Sequence, residues 1–202
     1  MNCFFDADKP LMRALTVVAD LILLNILTIL CSLPIVTAGA AVTSMYYVAI
    51  RIIRNEDGSM LKDYFRAFRS NFKKATIAWL LLLVTAALLY VDYIAAEIYI
   101  PVLCAGIGAI AVIVLTIALY AFALLARYEN TLPGTLKNAV ALAIGYFPRT
   151  LAMAVFVIAF WMLAVYFIQY GAPILLMFGL SLPCYVCVLL MNGMFDKLEK
   201  SK

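Results

Sequence analysis

Between residues 102 and 126 the chain carries no charged side chain, and a second run of similar length, 14–33, carries only Asp20. In hydrocarbon every backbone polar group must be satisfied within its own segment, so runs of this kind cross a bilayer as α-helices. A hydrocarbon core of roughly 30 Å takes about 20 helical residues to cross. Apolar residues make up 67% of the 202 and charged residues 13%, against about 45–50% and about 25% in an ordinary soluble domain. No soluble fold has the interior for that proportion. The sequence therefore predicts an all-α, polytopic membrane helix bundle, a single integral membrane domain over residues 1–202.

Hydropathy places spans at about 14–33, 75–91, 102–126 and 150–168. A further span at 174–194 is interrupted by Gly179, Ser181 and Pro183, which predicts a kink or a break. The segment 35–53, rich in Ala, Gly, Thr and Ser, reads either as a sixth span or as a re-entrant piece. Charge favours the former. With six spans and the N-terminus inside, all 15 Lys and Arg fall on the cytoplasmic side and none on the other, as positive residues in short loops require. Six transmembrane helices in three hairpins, with both termini cytoplasmic, is the expected topology. Residues 1–13 carry Asp6, Asp8, Lys9 and Arg13 without a small-residue cleavage site, so the first span is expected to be retained.

Two shorter segments read as interfacial amphipathic helices, about 60–72 and about 135–147. In the first, Leu61, Phe65, Phe68 and Phe72 recur at helical steps, and the cations Lys62, Arg66, Arg69 and Lys73 follow one position behind. Such a helix can seat its aromatics in acyl chains while its basic stripe reaches lipid phosphate. Topological anchoring accounts for it; a docking role for a cytoplasmic partner is the alternative. Ser59 is a candidate cap at its start. After Pro34, the small residues Ala38, Gly39, Ala40, Ala41, Thr43 and Ser44 predict a face for close helix packing.

Chemistry is sparse. The chain has no histidine, which removes His-based triads, His general acid–base catalysis and His metal sites. Cys184 and Cys187 form a C-x-x-C inside an apolar span, where buried thiols are the simpler reading. Asp92 and Glu97 point about 140° apart on a helix and read as a solvated outer loop rather than a catalytic pair. No catalytic residue, cofactor or metal is predicted, and the Lys and Arg flank apolar runs rather than forming a nucleic-acid surface. What remains is an intramembrane polar pair, Asp20 and Asn25, because charge at membrane depth needs a partner or an aqueous cavity. Arg13, Arg51 and Arg127 are its candidate partners. Arg127, Glu129 and Asn130 form a candidate cytoplasmic clamp ahead of a helix restart marked by Thr131 and Pro133.

Several of these stretches, in this order, resemble the YesL family of bacterial membrane proteins: Asn25, Leu33-Pro34-Ile35-Val36-Thr37-Ala38-Gly39, Met45-Tyr46-Tyr47, the basic aromatic stretch from Tyr64 to Phe72, and Ala126-Arg127-Tyr128-Glu129-Asn130-Thr131. Where that family commonly has Asp after the Arg-Tyr pair, this chain has Glu129. The resemblance implies a bacterial inner-membrane protein of uncharacterised function, linked to carbohydrate uptake or utilisation, with no established catalytic residue. The sequence thus points to a non-enzymatic accessory component that contacts membrane lipids and other membrane proteins such as transporter permeases. Its rival is a small-solute transporter or channel built around Asp20, Asn25 and the broken last span.

Overall fold

The computed structural model describes residues 10–56, 58–128, 130–166 and 177–200, and among them every regular element is helical. The helices are α1 (Pro10–Ser32), a 3₁₀ turn (Ile35–Thr37) leading into α2 (Ala38–Arg54), α3 (Met60–Tyr99), α4 (Leu103–Arg127), α5 (Leu132–Gly145), α6 (Phe147–Tyr166) and α7 (Ser181–Lys200). Five are long and apolar enough to cross a membrane, including Ile35–Arg54 taken with its 3₁₀ turn. The segment 35–53 thus has the length of a crossing. The apolar part of α7, Ser181–Met194, is shorter, and the expected span at 174–194 begins outside the described residues. The outward faces of these helices bear many large apolar side chains, among them Leu81, Val84, Leu88 and Val91 on α3 and Leu151 and Val155 on α6. An apolar surface of that extent belongs against lipid.

At the centre lies α2, which packs against α1, α3, α4 and α7. Its small-residue face is buried as expected, from Gly39 through Ser44 save Val42. Gly39 sets the closest approach: a Cβ there would lie 2.5 Å from the Ala75 carbonyl oxygen and closer still to Trp79 Cβ. The Trp79 indole N–H in turn donates to the Ile35 carbonyl at 2.8 Å, tying α3 to the start of the α2 segment. Hydroxyls within the bundle mostly satisfy themselves. Thr28, Thr43 and Ser44 each donate to the carbonyl four residues back at 2.7–2.8 Å, a bond that needs no water.

Three expectations need correction. The segment 60–72 is no separate interfacial helix but the first part of α3, one uninterrupted helix of 40 residues. With neither Pro nor Gly between Met60 and Tyr99, nothing stops it at Asn71-Phe72-Lys73-Lys74, and at about 1.5 Å per residue it is near 60 Å long. It packs along α2 through Tyr64 and Ala67, both buried, while Leu61 and Phe65 are exposed. The outer connection is also shorter than read: α3 stays helical past Asp92 and Glu97, both of which are exposed, and turns only at residues 100–102. Finally, the segment 135–147 is α5 shifted towards the N-terminus. It starts at Leu132 behind the N-cap Thr131, and Pro148-Arg149 belongs to the first turn of α6.

Candidate functional site

Asp20 lines a polar cleft of about 310 Å³ where α1 meets the α2–α3 turn, with Thr16, Arg51, Asn55, Glu56 and Asp63 among the other walls. Five residues along a helix is about 140° of rotation, and the structure separates Asp20 from Asn25 accordingly. Asn25 is fully buried and faces α7. The two residues therefore do not form one polar site.

Arg51 organises the cleft. It sits in the last turn of α2, where a cation complements the helix dipole, and forms an ion pair with Asp63 of α3 and a second with Glu56 at 3.0 Å. The Arg51 and Asp63 side chains are only 19% and 10% exposed. The chain reverses between them through Asn55, whose backbone is left-handed at φ 53°, a conformation that Asn tolerates well. Gly58 follows because a side chain would meet the pair: its Cβ would lie 2.7 Å from Asp63 Oδ2 and 2.9 Å from Arg51 Nη2. Arg66 lies 3.9 Å from the other Asp63 oxygen. Among the described residues, the ion pairs of Arg51 run to Glu56 and Asp63 rather than to Asp20. Asp63 was not visible as a partner in the sequence, though its position one turn into a helix, beyond the Asn-Glu-Asp-Gly stretch that starts at Asn55, carried the signal.

Asn25 serves α7. Its side-chain oxygen accepts the backbone N–H groups of Leu180 at 2.8 Å and Ser181 at 3.0 Å. The expected break falls here, in a turn at Gly179 and Leu180, and Pro183 lies in the first turn of the restarted helix, where its missing N–H costs nothing. A helix starting inside apolar surroundings exposes N–H groups that no water can satisfy, and Asn25 supplies the acceptor from α1. Cys184 and Cys187, just beyond, are both buried free thiols.

At the expected clamp, Arg127 closes α4 with its guanidinium 5.7 Å from the Tyr128 ring. The Asn130 carbonyl accepts a hydrogen bond from Lys74 of α3 at 3.0 Å. The connection is thus held to α3 by a lysine outside the predicted set, and Glu129 lies outside the described residues. Lys62, Arg66, Arg69 and Lys73 are all exposed on α3. Ser59 stands at the N-cap position without its hydroxyl bonding the helix.

Comparison with known proteins returns no match among curated proteins or solved structures. Residues 21–93, from α1 through most of α3, match the model of a family described as a protein of unknown function, DUF624, a stretch that includes Asn25, Arg51 and Asp63.

Proposed function

We propose that the chain is a non-enzymatic accessory component of a bacterial cytoplasmic membrane, crossing it six times in three hairpins with both ends inside, and acting through contacts with other membrane proteins. The observation that carries this reading is the use of Asn25: the most deeply buried amide in α1 is committed to the backbone of α7. With Thr28, Thr43 and Ser44 bonded to their own helices and Tyr64 and Tyr120 bonded to neighbouring ones, few polar groups remain at depth to line a solute path. The link to carbohydrate uptake or utilisation, and the YesL assignment itself, rest on the resemblance of the ordered stretches from Asn25 to Thr131.

One observation favours the rival reading, a small-solute transporter: Asp20 lines a polar cleft with Arg51, Glu56 and Asp63. Affinity purification of the tagged protein at native expression level, in mild detergent and with mass spectrometry, separates the two. Stoichiometric recovery of a transporter permease supports the accessory role. A homogeneous self-complex, with solute flux in proteoliposomes that Asp20→Asn abolishes, replaces it with the transporter.

A further inference from the structure

A second cleft, of about 500 Å³, lies further along the same face of α3, between Tyr47 of α2 and the C-terminal end of α4. Arg66, Ser70 and Lys74 stand on it at steps of four, one ridge of α3, with Ala67 and Asn71 on the adjoining row. Arg127 and Tyr128 close the opposite wall. The described lining holds three cations, two tyrosines, Asn71 and Ser70, with Arg66 also 3.9 Å from Asp63 Oδ1. Arg66 and Lys74 are about 12 Å apart along the helix axis, so their charges converge on a ligand of some size rather than on one another. Arg127 carries a planar guanidinium, the group best matched to bidentate contact with an oxyanion. Lys74 spends one N–H on the Asn130 carbonyl, which fixes its ammonium and leaves two donors.

We propose that this cleft binds a phosphate-bearing ligand, with Arg66, Lys74 and Arg127 holding the phosphate and Asn71, Ser70, Tyr47 and Tyr128 in reach of the group attached to it. The volume is in the range of small-molecule sites and far exceeds what a bare anion fills. A phospholipid headgroup and a soluble phosphorylated molecule present the same chemistry. The site is independent of the accessory reading, since its walls share neither Asp20 nor Asn25.

The test uses the full chain. In neutral detergent, its unfolding temperature is measured against inorganic phosphate, with chloride at equal ionic strength as reference. In parallel, it is measured in nanodiscs of phosphatidylcholine with and without phosphatidylglycerol. Protection by phosphate identifies a soluble ligand class, and protection by phosphatidylglycerol alone identifies a lipid headgroup. In either case Arg66→Gln and Lys74→Gln weaken the effect about tenfold, the scale of one lost charge-assisted hydrogen bond. Lys62→Gln and Lys73→Gln, outside the cleft, leave it unchanged. Ser70→Glu, which sets a carboxylate on the exposed ridge, abolishes it even if the cation variants fold poorly. Protection no greater than that of chloride, or protection indifferent to Arg66, Lys74 and Ser70, overturns the proposal.

Discussion

Asn25 accepts the backbone N–H of Ser181 across 156 residues of sequence, so the start of α7 is capped by a side chain of α1. Replacing Asn25 by Leu leaves the Leu180 and Ser181 donors without an acceptor in a fully buried position. Each unsatisfied donor costs about 1–3 kcal/mol, and thermal unfolding in mild detergent should register a large loss. Asn25→Asp keeps an acceptor oxygen and should retain more stability. Ser181→Ala removes a buried hydroxyl that, among the described residues, has no hydrogen-bond partner and should be neutral or slightly stabilising. Equal losses for Asn25→Leu and Asn25→Asp would mean the cap is not what the residue contributes.

Glycine substitutions should separate two kinds of position. Gly39→Ala drives a methyl into the Ala75 backbone and Trp79, an overpacking expected to cost about 1–3 kcal/mol. Gly108→Ala, in the second turn of α4 with nothing within 4 Å of the added Cβ, should stabilise by up to about 1 kcal/mol through helix propensity. Unfolding temperatures of the two variants should move in opposite directions. Similar shifts for both would deny that α2 and α3 touch at Gly39.

The class of fold was legible because a helix such as α4, charge-free from Leu103 to Ala126, has only one kind of solvent. The packing face of α2 and the break before Pro183 were legible for local reasons, small side chains in one case and helix-breaking residues in the other. What could not be read depended on distant partners. Nothing within α1 says that Asn25 meets residue 180 rather than Asp20's surroundings. The buried face of α3 was obscured by its aromatics. Leu61, Phe65, Phe68 and Phe72 make the stronger stripe, yet the side turned to α2 is Tyr64, Ala67, Ala75 and Ala78, all of them buried. Small residues at helical spacing marked it, and in a membrane they outrank large ones as a sign of protein contact.

Arg51 and Asp63 should prove energetically coupled. Their side chains are mostly buried, so losing either strips the other of its closest counter-charge. A double-mutant cycle of Arg51→Ala and Asp63→Ala, read by unfolding in detergent, should give a coupling of about 1–3 kcal/mol. Gly58→Ala should destabilise as well, because its Cβ would press on both partners. Additive losses in the cycle would mean that the turn is held by its backbone alone.

The two ends of α3 provide the sharpest test of topology. Lys73 lies in its basic first half and Glu97 two residues before its last, Tyr99, and both are exposed. The 24 positions between them correspond to about 36 Å of helix, more than the roughly 30 Å hydrocarbon thickness. A single crossing by α3 therefore places them on opposite sides, and the positive-inside rule places Lys73 in the cytoplasm. In a background with the five native cysteines replaced by serine or alanine, a membrane-impermeant maleimide added to intact cells should label Glu97→Cys and spare Lys73→Cys. Inverted vesicles should reverse the pattern. Labelling of both from one side would mean that α3 lies along the membrane rather than through it, and labelling of Lys73→Cys alone in intact cells would turn the whole assignment over.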